Sequence, residues 1–225
     1  MPGGGYPAPV PRRLSGWLYD VGMGPLERAG LRVQRAVLLA GATGRVLEVG
    51  AGTGLSLPHY RTGAVTEVVA AEPDPAMRVR LVRRAGRAAV PVVIRAGGLP
   101  GLGEPPGSFD TIVCLLVLCS VADVAATLAE LRALLAPGGQ LLFFEHVLGR
   151  PPLSSLQRCL APAWAAVAAG CRLDRDTVGA LRSAGFAVTD LEKPAPLGRL
   201  TAGSIVRGRA VARPAAGLAP HDPPG

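Results

Sequence analysis

An acid and three glycines stand close together in RVLEVGAGTGLSLPHY, residues 45–60. Glu48, Gly50, Gly52 and Gly54 occupy alternate positions at the end of a short apolar run. Gly50 permits a sharp turn and Gly52 lets the backbone approach a ligand closely, so the pattern predicts a nucleotide-binding turn that follows a strand and opens a helix. A plain tight turn between a strand and a helix is the structural alternative.

The spacing of these residues separates two classes of nucleotide. Dinucleotide-binding turns space their glycines G-x-G-x-x-G and hold a pyrophosphate at the helix N-terminus. Here Gly54 comes one position early, and Glu48 lies two residues before the first glycine, where its carboxylate would repel a pyrophosphate. The same carboxylate suits an ammonium group, such as the α-amino group of S-adenosylmethionine. The turn therefore favours S-adenosylmethionine, with a nicotinamide oxidoreductase as an alternative.

A second acid, Glu72, ends the next apolar run. An acid about 20 residues after a glycine turn accepts hydrogen bonds from ribose hydroxyls, which both nucleotide classes carry. Glu72 is therefore predicted to bind ribose, although a solvated acid at a strand end would give the same pattern.

The elements that must position these residues are apolar runs separated by helical patterns, which predict a parallel sheet. The last two strands alternate apolar and polar residues, as an antiparallel hairpin at a sheet edge does. We therefore expect an α/β, Rossmann-like, doubly wound sheet of seven mostly parallel strands with a C-terminal antiparallel hairpin and helices on both faces. The predicted strands are 45–50, 67–72, 90–95, 109–118, 140–147, 186–193 and 203–212, and the predicted helices are 24–41, 75–87, 121–139, 153–169 and 174–185.

The ends of the chain differ from its middle in composition. Residues 1–13 and 213–225 are rich in proline and glycine, which predicts two disordered segments around one domain, 14–212. No apolar run reaches the roughly 20 residues of a membrane helix, and the N-terminus lacks an apolar signal segment, so we expect a cytoplasmic protein without a membrane span. The formal net charge is +8, but its one dense basic stretch, 78–84, has helical spacing and is expected to be a solvated face, so no nucleic-acid partner is predicted.

Cysteine and histidine spacing predicts no metal site. The four cysteines have no CxxC spacing, and the three histidines have no ligand spacing. Because the cysteines lie in apolar surroundings, we expect buried, unpaired thiols.

Several segments carry a resemblance to a known family. VLEVGAGTG, AAEPDPAM, GSFDTIVCLLVLCSV and ELRALLAPGGQLLFFEH resemble successive motifs of the class I S-adenosylmethionine-dependent methyltransferases. LVLCSV, EHV, LAPAW, GCRLDRDTVGALRSAGF and PAPLGRLTAGSIVRGRAV are similar to the methyltransferase-like thiol S-methyltransferases, whose animal members methylate alkyl thiols at internal membranes. The resemblance spans about residues 17–212 and extends to bacterial relatives of that family, whose substrates it does not fix.

Two departures from the family matter. The animal members carry an apolar N-terminal anchor, whereas this chain begins with a polar Pro/Gly-rich segment, so membrane attachment is not expected. Members of the family usually have an acid before the fourth-strand motif that contacts the adenine amine, but residues 97–103 contain none. Adenine is then expected to depend on backbone groups and on apolar contacts such as Leu99.

The residues expected at the acceptor follow the fourth and fifth strands, because sites in this fold open at the carboxyl ends of strands. His146 is the predicted base or orienting group, with a purely structural role as its alternative. Cys119, Trp17, Tyr19 and Trp164 are predicted to line or cover the acceptor pocket, with core packing as their alternative.

The resulting prediction is a methyltransferase that uses S-adenosylmethionine and acts on a small, apolar acceptor, a thiol before an amine or hydroxyl. Alternatives are N- or O-methylation of a small metabolite or lipid headgroup, and a module that binds S-adenosylmethionine without turnover. The oligomeric state is not predicted. The expected cofactor-binding residues are Glu48, Gly50, Ala51, Gly52, Gly54, Glu72, Pro73, Met77, Leu99 and Leu116.

Overall fold

Seven strands form one sheet in the order β3-β2-β1-β4-β5-β7-β6. The computed structural model describes residues 15–168, 170–194 and 204–213. The strands are β1 (Gly44–Val49), β2 (Val65–Ala71), β3 (Val92–Arg95), β4 (Phe109–Leu115), β5 (Leu135–Val147), β6 (Phe186–Glu192) and β7 (Ser204–Ala212). Strand β7 is antiparallel to both β5 and β6, and the pairings among β1 to β5 are parallel. The predicted fold class and terminal hairpin are therefore confirmed.

Helices cover both faces of the sheet. They are α1 (Ser15–Leu26), α2 (Arg32–Leu39), α3 (Pro75–Ala85), α4 (Val124–Leu134), α5 (Leu153–Val167) and α6 (Thr177–Ser183). Leu128 and Leu181 pack from α4 and α6 into the core on one face, and Leu39 and Leu81 pack from α2 and α3 on the other. None of the helices in the described ranges is long and apolar enough to cross a bilayer.

Aspartates fix the starts of three helices. The carboxylates of Asp74, Asp123 and Asp176 accept backbone N–H hydrogen bonds of 2.7, 2.9 and 2.8 Å at the beginnings of α3, α4 and α6. Each bond satisfies a donor that would otherwise have no partner inside the helix.

Several predicted elements differ from the observed ones in extent or in type; the predicted strand 140–147, for example, already begins at Leu135. The predicted helix 24–41 is divided by Gly30, whose φ of +128° interrupts it, so a π-helical turn (Glu27–Leu31) separates α1 from α2. The glycine turn opens no α-helix, because Gly54 has a left-handed φ and Pro58 lacks an N–H; a short 3₁₀ turn, Leu57–His59, forms instead. Helix α4 ends at Leu134, before the Pro137–Gly138 stop, because Leu135 is already paired with Phe109 in the sheet.

The predicted disordered segments fall largely outside the described residues. Arg213, the first residue of the predicted C-terminal tail, is an exception, because its N–H donates to the Gly185 carbonyl at 2.9 Å. It therefore extends the folded unit by one residue.

Candidate functional site

A cleft opens where β1 and β4 end at their carboxyl termini. Five predicted cofactor residues line it, and the predicted pocket residue Tyr19 lies beside them; the five are Glu48, Gly50, Ala51, Gly52 and Leu116. The full lining comprises Tyr19, Leu31, Arg35, Glu48, Gly50, Ala51, Gly52, Thr53, Leu55, Leu115, Leu116 and Phe144.

The glycine turn has the backbone conformation that its sequence predicts. Gly50, Gly52 and Gly54 have φ values of +61°, +57° and +82°, a region that residues with a side chain rarely adopt. A Cβ atom on Gly50 would come within 2.6 Å of a Val117 methyl group, and one on Gly54 within 2.8 Å of Leu81. Gly50 is therefore required for the close approach of the β1 and β4 ends, and Gly54 for packing against α3.

Glu48 lines the cleft and is buried. The Tyr60 hydroxyl donates a 3.0 Å hydrogen bond to Glu48 Oε2. Burial raises the pKa of Glu48, although the Ser56 hydroxyl and the charge of Arg35 act in the opposite direction. Glu48 therefore presents a buried carboxylate to a positively charged ligand group in the cleft.

Arg35 contributes a buried guanidinium to the same cleft. It donates to Ser56 Oγ at 2.9 Å and forms an ion pair with Glu27 at 2.7 Å. Its buried Nε–H has no hydrogen-bond partner among the described residues. A buried donor without a partner is costly, and a carboxylate in the cleft would supply one.

Glu72 lies behind the turn and is not among the residues that line the cleft. Its Oε2 accepts the Gly52 N–H at 2.7 Å, and its Oε1 accepts the Asp74 N–H at 2.8 Å. Burial raises its pKa against the effect of these two bonds. Glu72 thus holds the turn to the start of α3, and its role in ribose binding stays a prediction.

Four further predicted cofactor residues lie around this cleft without lining it. Gly54 lies against Leu81 of α3, and Pro73 and Met77 are half-buried at the start of that helix. Leu99 is buried in the core on the α4 face. Their part in cofactor binding stays a prediction.

The loop predicted to approach adenine is held by two acids. Glu130 of α4 accepts the N–H groups of Gly101 and Leu102 at 2.6 and 3.0 Å. Glu104 forms ion pairs with Arg45 at 3.2 Å and with Arg95 at 2.8 Å. These hydrogen bonds and ion pairs therefore hold the loop in its position.

Helix α1 is tied to the glycine turn through Asp20. Its carboxylate accepts the Thr53 hydroxyl at 2.6 Å and pairs with Arg80 and Arg84 of α3 at 2.6 and 2.8 Å. Burial would raise the pKa of Asp20, but the hydrogen bonds from Arg84 and Thr53 outweigh it, and the pKa is lowered. Asp20 thereby holds the segment that carries Tyr19 over the cleft.

The two aromatic residues predicted from α1 have different positions. Tyr19 lines the cleft. Trp17 is 54% exposed and lies outside that lining. Only Tyr19 is therefore in place to contact a molecule in the cleft of this structure.

The turn after β4 connects the cleft to the expected acceptor end. Leu116 has a φ of +58°, a strained conformation for leucine, and its N–H donates to the Phe144 carbonyl at 2.8 Å. Such strain persists only where the surroundings enforce it, and it is concentrated at functional sites. Here the enforcement comes from Glu145, which is fully buried and accepts the N–H groups of residues 117, 118 and 119 at 2.9, 2.9 and 3.1 Å.

Five residues beyond this turn form a separate cluster. Cys119 and Cys171 are buried with Leu173, and Trp164 packs against them. His146 Nδ1 lies 3.4 Å from Cys171 Sγ and 3.9 Å from Cys119 Sγ. The Sγ atoms of Cys119 and Cys171 lie 3.4 Å apart, and this contact lowers the pKa of Cys171, while the same contact and burial raise the pKa of Cys119. The structure thus brings together the predicted residues Cys119, His146 and Trp164.

Sequence reasoning missed several residues of both sites. Arg35 and Asp20 belong to no motif, since they reach the turn from elsewhere in the fold. Thr53 and Tyr60 lie within the stretch 45–60, where the glycines and Glu48 alone indicated a site. Cys171 had one available signal, because it lies in the segment GCRLDRDTVGALRSAGF that resembles the thiol S-methyltransferases.

The cleft fits S-adenosylmethionine by the chemistry of its groups. An acid and an unpartnered buried guanidinium donor match the ammonium and carboxylate of an amino acid. The glycine turn permits close backbone approach beside them.

Comparisons with known proteins agree with this assignment. Residues 26–191 match a family model described as a methyltransferase domain. Thiol S-methyltransferase TMT1B of Homo sapiens is 36% identical over 183 residues, covering 77% of this chain and 73% of that protein. Phosphatidylethanolamine N-methyltransferase of Cereibacter sphaeroides is 30% identical over 155 residues, covering 68% and 75%.

A solved structure shares the fold. An S-adenosylmethionine-dependent methyltransferase from Mesorhizobium loti superposes with a TM-score of 0.60 at 20% identity, covering 79% of this chain and 95% of that one. The chain therefore belongs to the class I S-adenosylmethionine-dependent methyltransferases.

Proposed function

We propose that this methyltransferase transfers its methyl group to the sulfur of a small, apolar thiol. The observation that carries the proposal is that Glu145, the acid at the end of β5, is already engaged in hydrogen bonds. Both oxygens of Glu145 accept backbone N–H groups, so this carboxylate is not a free base for the acceptor. A thiol needs less help than an alcohol, because its S–H is more acidic than an O–H and its reacting form is the strongly nucleophilic thiolate.

The cofactor is proposed to lie in the cleft with its amino-acid end toward Glu48 and Arg35. Glu48 would accept the ammonium group, and the free Nε–H of Arg35 would donate to the carboxylate. Gly50 and Gly52 would allow the backbone to contact the nucleoside. When bound, S-adenosylmethionine would supply an electrophilic methyl group: in-line attack by the acceptor sulfur on the methyl carbon would break that carbon's bond to the cofactor sulfur and leave a neutral thioether.

The chain's contribution to this reaction is orientation. The Glu145 carboxylate fixes the turn of residues 117–119, and the strained Leu116 lines the cleft beside it. Holding an acceptor in line with the methyl group can supply most of the acceleration, because the leaving group is good without assistance. The acceptor's proton passes to solvent.

The similarity to thiol S-methyltransferase TMT1B supports the thiol, since it extends over 73% of that protein. A second candidate is N-methylation of a lipid headgroup, which the similarity to phosphatidylethanolamine N-methyltransferase over 75% of its length favours. His146 as a base and a pocket that includes Trp17 stay predictions.

The experiment compares acceptors that differ only in the reacting atom. The enzyme is incubated with methyl-labelled S-adenosylmethionine and hexanethiol, hexylamine or hexanol, and products are identified by mass spectrometry. We expect a labelled thioether and S-adenosylhomocysteine from the thiol alone. Turnover of the amine, or of phosphatidylethanolamine vesicles in a parallel reaction, without thiol methylation would show that the thiol proposal is wrong. Intact S-adenosylhomocysteine binding with no turnover of any acceptor would instead favour a binding module.

A further inference from the structure

Cys119, His146 and Cys171 place three metal-ligating atoms within 4.8 Å of one another. We call these residues the Cys₂His cluster. Cys119 follows β4, His146 is in β5, and Cys171 lies between α5 and α6. All three are at least nine-tenths buried, with exposed fractions of 0%, 6% and 6%.

The distances in the cluster match those around a single tetrahedral ion. Zinc binds sulfur at about 2.3 Å and histidine nitrogen at about 2.0–2.1 Å, so tetrahedral donors lie about 3.5–3.8 Å apart. The Sγ–Sγ distance is 3.4 Å, and the distances from His146 Nδ1 to Cys171 and Cys119 are 3.4 and 3.9 Å. One ion could therefore contact all three atoms with shifts of a few tenths of an ångström.

The backbone holds the donors in place without the ion. The Arg172 N–H donates to the Cys119 carbonyl at 2.8 Å, which fixes the two cysteine segments against each other. Thr177 Oγ1 donates to the His146 carbonyl at 3.3 Å, which fixes the start of α6 against β5. A site with its ligands already in position loses little conformational entropy when it binds an ion.

The surroundings also suit a thiophilic ion. Leu173 is buried with the two cysteines, and Trp164 and Ala168 pack against them. His146 Nε2 has no hydrogen-bond partner among the described residues, so the polar contacts of the ring are those of Nδ1 with the two sulfurs. Two thiolates and an imidazole in an apolar pocket are a donor set for Zn²⁺ rather than for Mg²⁺ or Ca²⁺, which prefer oxygen.

We propose that the Cys₂His cluster is a Zn²⁺ site that joins the segment after α5 to the ends of β4 and β5. The cluster supplies three donors, and the fourth tetrahedral position is left to solvent or to an exogenous ligand, as in zinc sites with three protein ligands. Ion binding releases the thiol protons of Cys119 and Cys171 to solvent. The proposal does not depend on the identity of the methyl acceptor.

The test measures metal binding by the whole protein. Reduced, chelator-treated protein is titrated with Co²⁺ and then with Zn²⁺ in competition with a chromogenic chelator. We expect one ion per chain and a sulfur-to-cobalt charge-transfer absorption that Zn²⁺ abolishes. Cys171→Ser should lower Zn²⁺ affinity at least about 100-fold, because losing even an outer-sphere partner costs about 10–100-fold. Cys159→Ser, which changes an exposed cysteine of α5, is the matched control and should bind as the wild type does.

A second measurement covers the case in which Cys171→Ser fails to fold. In the wild type, Zn²⁺ should protect Cys119 and Cys171 from alkylation and leave Cys159 reactive. Absence of the charge-transfer band in the wild type, an unchanged band in a folded Cys171→Ser variant, or unprotected thiols would overturn the proposal. So would reduced protein that forms a Cys119–Cys171 disulfide on oxidation but binds no Zn²⁺.

Discussion

The Thr53 hydroxyl donates a 2.6 Å hydrogen bond to the carboxylate of Asp20, and this contact joins helix α1 to the glycine turn. The same carboxylate binds Arg80 and Arg84, so a single side chain connects the turn, α1 and α3. The position of Asp20 explains why a residue outside every sequence motif affects the shape of the cofactor cleft.

Replacing Asp20 by asparagine should loosen α1. The variant removes the charge between two arginines, and hydrogen bonds to charged groups contribute about 1.5–3 kcal/mol each. We expect unfolding free energy to fall by about that amount, and S-adenosylhomocysteine affinity to fall because Tyr19 no longer covers the cleft. Urea unfolding and calorimetry measure the two effects. Glu67→Gln, which removes a half-exposed partner of Arg45 far from α1, is the control and should leave the affinity unchanged.

The stability of the α1 contact should depend on pH. The folded pKa of Asp20 lies below its usual value of 3.8, so its contribution is complete above that value. It is lost as the pH falls through the lowered folded pKa. Between about pH 5 and pH 2, wild-type stability should therefore decline more steeply than that of Asp20→Asn. Parallel declines in the two proteins would contradict the assignment.

Gly50 is expected to tolerate no side chain. Gly50→Ala adds a methyl group 2.6 Å from Val117 at a φ of +61°, whereas Gly63→Ala adds one at a φ of +81° with no atom within 4 Å. Both variants carry backbone strain, but only the first adds a steric collision, which typically lowers the free energy of unfolding by a further amount of about 1–3 kcal/mol. Thermal unfolding should separate the two, and only Gly50→Ala should lose S-adenosylhomocysteine binding. Equal losses in both variants would mean that the backbone conformation alone sets the effect.

The strands and the glycine turn could be predicted from the sequence because their signals are local. A buried parallel strand is a short apolar run, and β1, β2 and β4 follow theirs closely. The glycines at 50, 52 and 54 have the conformation that their spacing implies. The error in the predicted helix 24–41 also has a local cause, since Gly30 interrupts a pattern that is otherwise helical.

The contacts that complete both sites join residues far apart in the sequence, and motif spacing does not reveal them. Asp20 meets Thr53 across 33 residues, and Cys119 meets Cys171 across 52. Histidine and cysteine spacing predicted no metal site, yet the ends of β4 and β5 bring Cys119 and His146 together from positions 27 residues apart. Only the order of strands in the sheet makes such residues neighbours.

The most direct test of the cofactor assignment is calorimetric titration of S-adenosylhomocysteine into the wild type and into Glu48→Gln. Glutamine keeps the size of the side chain and removes the charge proposed to hold the ammonium group. The account predicts one ligand per wild-type chain and an affinity at least about tenfold lower in the variant, which corresponds to about 1.4 kcal/mol. An unchanged affinity in a folded Glu48→Gln protein, or no binding to the wild type, would contradict it.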